Sequence, residues 1–124
     1  MQHSELTGGI IRRAIELHRT LGPGQTQTHY ASSLATALRD ADLTVKQRVK
    51  AWKRTDGRWH LVGTLHLVVE GRVGVLVTTR NRPPDDRQRM HLRRIVQVRG
   101  LPVGLALNFG PHRVDIGRVD ERVG

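Results

Sequence analysis

Histidines and arginines are the residues of this chain best equipped for chemistry. Seven histidines are present, and imidazole suits zinc, copper or nickel. His66 and His91 could join His60 or His29 around such an ion. His60 and His66 are six residues apart, about 20 Å along a straight strand, so they cannot share one. His66 and His91 would need tertiary contact, and no closely spaced ligand pair of the kind metal sites use is present. The chain has no cysteine, which excludes disulfides, thiolate catalysis and thiolate-bound metals. No Ser-His-Asp order stands out. Gly22-Pro23-Gly24 lacks the Lys-Ser/Thr ending of a phosphate loop and reads as a helix stop. His18, on an apolar stripe, reads as a hydrogen-bonded core histidine.

The basic residues are the stronger signal. Lys and Arg number 21 against 11 Asp and Glu, a net charge of +10. Such a balance draws a domain to polyanions. Two clusters carry it: Arg87, Arg89, Arg93 and Arg94 in one, and Lys46, Arg48, Lys50, Lys53, Arg54 and Arg58 in the other. The partner they imply is nucleic acid or an acidic protein surface. Tyr30, Trp52, Trp59 and Phe109 are the only aromatic rings besides histidine, which argues against a base-stacking platform. Binding is expected to be backbone-directed and independent of sequence.

The elements that must position these residues follow from hydropathy. The length of 124 residues fits one domain, 1–124. Leu6, Ile10, Ala14, Leu17 and Leu21 mark a helix over 5–21 with Ser4 as candidate N-cap. Tyr30, Leu34, Ala37 and Leu38 mark a second over 28–41, capped by Thr26 or Thr28. The period then changes. Residues 43–54 read as an exposed or edge strand, Asp56-Gly57 as a hairpin turn, and 58–70 as its partner. Val73–Thr79 is almost wholly apolar and reads as a central strand. A loop with Pro83-Pro84 leads to a helix over 87–99, stopped by Gly100. Strands at 103–109 and 113–119 complete an α-α-β-β-β-α-β-β order, an α/β fold with a mixed central sheet flanked by helices. The first hairpin and the last strand leave open edges through which identical chains could pair into homo-oligomers. No apolar run approaches the roughly 20 residues a bilayer requires, and the polar start is unlike a secretory signal. No membrane partner and a cytoplasmic location are expected.

Three separated motifs resemble the GxxExxxY proteins of the PD-(D/E)XK nuclease-like superfamily. The first helix leads into Leu21-Gly22-Pro23-Gly24 with Tyr30 six residues on; the hairpin leads into Leu67-Val68-Val69-Glu70; and the third is Gly100-Leu101-Pro102-Val103-Gly104-Leu105-Ala106-Leu107-Asn108-Phe109-Gly110. The likeness runs over about 5–119 and implies a restriction-endonuclease-like core. It also implies acidic residues that hold a divalent metal such as Mg²⁺, beside a Lys that stabilises developing charge.

Carried over position by position, that site is degenerate. The Glu before the helical Tyr falls on Gln27, the strand Asp on His66, the Glu-x-Lys pair on Leu76 and Thr78, and the helical Gln on His91. Residues 74–81 contain no acid, so a slip in register does not restore one. Period-two geometry puts His60, Val62, Thr64, His66 and Val68 on one face, with Glu70 the nearest acid. The expectation is a scaffold without its resident metal and without catalysis, retained for binding or assembly. A histidine-based residual nuclease is the third reading.

Overall fold

The computed structural model describes residues 2–120; Met1 and 121–124, assigned to the same domain from sequence, lie outside the described residues. The elements come in the expected order: α1 (His3–Leu21), α2 (Gln27–Asp40), β1 (Val45–Thr55), β2 (Arg58–Val69), β3 (Val73–Thr78), α3 (Asp86–Arg99), β4 (Val103–Phe109) and β5 (Val114–Asp120). The strands form one mixed sheet in the order β1-β2-β3-β4-β5. β3 and β4 are parallel and joined through α3, while all other neighbours are antiparallel. β3 is the middle strand, as its apolar run implies.

Local chemistry explains the boundaries. Thr26 caps α2, its Oγ1 accepting from the His29 N–H at 3.1 Å. Asp85 and Gln88 form a reciprocal capping box at the start of α3, and Gly100 ends it in the left-handed conformation at φ 67°. α1 departs from expectation. It begins at His3 with Gln2 at the N-cap and no side-chain cap. Ser4 lies inside the first turn, where its carbonyl accepts from Thr7 Oγ1 at 3.2 Å.

Two apolar cores hold the layers together. On one face, Leu6, Ile10 and Ala14 of α1 and Leu34 and Leu38 of α2 close over Leu67, Val75, Val77 and Leu105. Tyr30 is wholly buried there. It stacks on Phe109 at 4.3 Å between ring centres and donates its hydroxyl to the Gly22 carbonyl at 2.6 Å. The spacing of the Leu-Gly-Pro-Gly turn and Tyr30 is therefore a packing device that satisfies a buried phenol. His18 is the core histidine expected, donating Nε2 to the Gly110 carbonyl at 2.8 Å. On the other face, Leu92, Ile95 and Val96 of α3 meet Ala51, Leu65, Val68 and Ala106. The helix sits close because glycines lie beneath it. A Cβ on Gly63 would come within 2.5 Å of Ile95 Cδ1, and one on Gly104 within 2.9 Å of Leu92 Cγ.

The sheet is irregular where the site is expected. Ala51 opposes Gly63 but Trp52 opposes Leu61, leaving Val62 as a bulge. A second break lies at Arg48, which adopts φ 55°, opposite His66. Leu65 packs under α3, whereas Leu67 and Val69 face α1 and α2. Two residues apart, Leu65 and Leu67 thus point to opposite faces. The single face expected for His60 through Val68 does not exist, because the bulge and the break at His66 each interrupt the alternation. Beyond this break β2 leaves β3, pairing with it only from Leu67 to Val69. The β1–β2 hairpin continues alone as a two-stranded ribbon, closed by Asp56 and Gly57 at φ 51° and 76°, the left-handed values that an Asp-Gly hairpin turn favours.

Candidate nucleic-acid interface

Of the positions onto which the family's catalytic residues fall, Gln27, His66 and Thr78 are engaged in structural hydrogen bonds. His66 stands where β2 parts from β3, and its Nδ1 accepts the Val77 backbone N–H at 2.9 Å. Gln27, in the first turn of α2, donates Nε2 to the Val77 carbonyl. Two side chains thereby replace the peptide groups that β2 would have offered, and both polar atoms of a buried strand residue are satisfied. Burial pushes the His66 pKa below its ordinary 6.5, in keeping with an imidazole that accepts at Nδ1. Leu76 packs toward α3. Thr78 donates its hydroxyl to Asn108 Oδ1 at 2.8 Å.

These residues do not fit a hard divalent ion, which takes several oxygen ligands. His66 offers nitrogen, and Nδ1 is occupied; Leu76 offers nothing. Glu70 does not share a cleft with His66. Its Oε2 accepts the Thr44 N–H at 2.7 Å, a bond that holds its carboxyl below the usual range. Among the described residues no three His, Cys, Asp or Glu side chains come together as a metal site. His60, on the ribbon, and His29, in α2, are exposed and belong to no such cluster.

The basic residues, in contrast, gather around open space. A concavity of about 840 Å³ lies at the start of α3, lined by Arg80, Arg82, Asp85, Arg87, Gln88, Met90, His91 and Arg94. Arg80 and Arg82 come from the loop after β3 and were not among the residues singled out from sequence. Their only signal there was position, in the loop that leads to the helix cap. None of the four guanidinium groups forms an ion pair among the described residues. Asp85, the one acid in the lining, is occupied as the helix cap. That backbone hydrogen bond from Gln88, followed by the nearby charges of Arg82, Arg80 and Arg87, holds its carboxyl below the usual range. Arg80 is anchored by its main chain: its N–H reaches Asn108 Oδ1 at 2.7 Å, and its carbonyl accepts from Asn108 Nδ2 at 2.8 Å.

Not every arginine of α3 faces this space. Arg89 pairs with Asp86 at 2.5 Å and donates to the Pro84 carbonyl at 2.9 Å. Arg93 is half-buried. Neither lines the concavity, which takes Arg87 and Arg94 from the arginines of α3.

The second cluster lies on the ribbon. Lys46, Arg48, Lys50, Lys53, Arg54 and Arg58 are all exposed. Lys53 shares a groove of about 260 Å³ with Val62, Arg94, Gln97 and Val98. Arg94 thus borders both spaces and links the concavity to Lys53 of the ribbon.

Comparison with known proteins agrees with this architecture. The structure titled "Crystal structure of SSO0001" aligns over 95% of this chain and 78% of that chain, with a TM-score of 0.60 and 10% identity. That likeness concerns the fold. No curated protein matches the chain. Among the described residues, no helix is long and apolar enough to cross a membrane. The profile of the PD-(D/E)XK nuclease superfamily matches residues 4–119, and on that near-complete match the chain belongs to the PD-(D/E)XK nuclease superfamily.

Proposed function

We propose that this chain is a nuclease-superfamily scaffold of the GxxExxxY type that grips nucleic acid by its phosphate backbone and does not cut it. The observation that carries the reading is Arg94, which borders both the arginine concavity and the groove of Lys53. Through it the loop and helix cations continue to Lys53 of the ribbon. Guanidinium groups outside ion pairs suit phosphate oxygens. The absence of catalysis is inferred from Gln27 and His66, whose polar atoms serve the backbone of Val77.

A fluorescence-anisotropy titration of duplex DNA against salt tests binding. Affinity is expected to fall steeply as salt rises. No binding at low salt, or binding indifferent to salt, would overturn the reading; capture of an acidic protein instead would redirect it. Incubation of DNA with Mg²⁺, Mn²⁺ and Zn²⁺ tests inactivity. Cleavage that survives repurification and disappears in His66→Ala would establish the histidine nuclease instead.

A second reading, self-association through an edge strand, has one observation in its favour. β5 is an outer strand with Ile116 exposed. Light scattering decides it: a monomer at all concentrations removes it.

A further inference from the structure

The ribbon has two chemically different faces. Alternation along β1 puts Lys53 toward α3, in the groove with Arg94, and puts Trp52 and Arg54 on the opposite face. Trp52 pairs across the ribbon with Leu61, and Arg54 with Trp59. Opposed residues share a face, so Trp52, Leu61, Arg54 and Trp59 form one patch. It is open: Trp52 is 48% exposed, Trp59 62% and Leu61 47%. Both tryptophans of the protein are in it. The Arg54 guanidinium lies 5.8 Å from the Trp59 ring centre, within cation–π range.

Charge says what would cover this patch. From 43 to 69 the chain has six basic residues and a single acid, Asp56 at the turn, a net of +5. A neutral apolar partner would have to strip water from these cations. A polyanion would instead release counterions. Trp52 and Trp59 are diagonal neighbours, with a spacing of about 7–8 Å. Both rings share this face and are open to solvent, so one strand can meet both. Rings interleaved with Lys and Arg are how proteins hold unpaired bases.

We propose that the ribbon tip is a stacking site for single-stranded nucleic acid, with bases on Trp52 and Trp59 and phosphates on Arg54, Lys50 and the α3-side track. The proposal rests on the phosphate-binding reading and narrows its ligand. The cations of the track lie on the α3 face and the rings on the other, at the edge of the sheet. A strand that contacts both must turn around a two-stranded ribbon. Single-stranded DNA is flexible enough to do so; a duplex is too stiff to bend over such a short length. The scarcity of aromatic residues in the composition concealed this arrangement, since two rings suffice when they are adjacent and exposed.

The test uses the whole chain with labelled oligothymidylate and a duplex of equal phosphate number, read by anisotropy and by tryptophan fluorescence. The single strand is expected to bind about 10-fold or more tighter, since stacking is worth roughly 1–3 kcal/mol per base, and to quench the tryptophans. Trp52→Ala/Trp59→Ala is expected to abolish that preference and leave duplex binding within about 2-fold. Unchanged far-ultraviolet dichroism and melting show that this variant is folded, and Trp59→Phe, which keeps a ring, should retain most of the preference. Equal binding of both DNAs without quenching overturns the stacking site and leaves phosphate binding standing. Failure of both DNAs to bind removes the underlying reading. An oligomer that dissociates in the Ala variant would make the patch a protein interface and overturn the proposal.

Discussion

Two regions at the end of β3 have had opposite fates. In the split between β2 and β3, where the superfamily's chemistry would reside, Gln27 and His66 are turned onto the backbone of Val77. In the concavity at the start of α3, Arg80, Arg82, Arg87 and Arg94 remain outside ion pairs among the described residues. The first region is neutral and self-satisfied; the second is charged and open. The difference teaches that a neutral His-Gln pair can satisfy the backbone at the split in the sheet. The split in the sheet leaves Val77 without a partner in β2, and any residue placed there must satisfy its peptide groups. A histidine and a glutamine do so. The surface that would touch phosphates is under no such internal demand, so its charge can be kept for a ligand.

The comparison can be broken most severely at the arginines. Arg80→Ala/Arg94→Ala is expected to weaken duplex binding by about 10-fold or more at low salt and to flatten the salt dependence by about two phosphate contacts. Melting should change little. A loss of stability with unchanged affinity would mean that the concavity is the structural region and the contrast is reversed.

The next largest effect belongs to His66. His66→Ala leaves the Val77 N–H buried without its acceptor, at a cost of about 1–3 kcal/mol in urea unfolding, while DNA affinity per folded molecule stays the same. Gln27→Ala removes the donor to the Val77 carbonyl and is expected to cost less, about 1 kcal/mol, because a carbonyl tolerates under-satisfaction better than an N–H.

The smallest effect is on pH. Burial lowers the His66 pKa below 6.5, so in the window beneath 6.5 the unfolded chain takes up a proton that the folded chain resists. Stability from this group is complete above about pH 6.5 and falls as the pH drops toward the depressed folded value. His66→Gln retains an acceptor for Val77 and removes the ionisation. A pH series of unfolding midpoints should lose that portion of its slope in His66→Gln; an unaltered slope would show that Nδ1 is not the titrating acceptor.

Much of this architecture is legible from residue spacing. The apolar stripes of α1 and α2, the Asp-Gly turn, the apolar β3 run and Gly100 place the elements to within a few residues. What spacing cannot show is a break in alternation. Nothing in the residues around Arg48 announces a left-handed backbone, since arginine has no preference for it. The reversal between Leu65 and Leu67 is therefore invisible to a period-two reading, and with it the true surroundings of His66. The arginine concavity is missed for another reason. Arg80 and Arg82 lie in a Pro-containing loop without periodicity, and only the folded chain brings them beside Arg87 and Arg94. The ribbon patch is hidden similarly, because Trp52 and Trp59 become neighbours through hairpin register.

Asn108 has a consequence that reaches outside its own strand. It is buried, and its amide both accepts from and donates to the main chain of Arg80, 28 positions earlier. In effect a side chain of β4 acts as one more peptide unit, and it sets where the first arginine of the loop departs from the sheet. The bearing of the arginine concavity is therefore governed by a residue that is itself almost wholly shielded from solvent. Asn108→Asp nearly preserves volume but loses the donor to Arg80. Such a change would detune the proposed recognition from a distance, as a shift in the bearing of one arm rather than the loss of a contact.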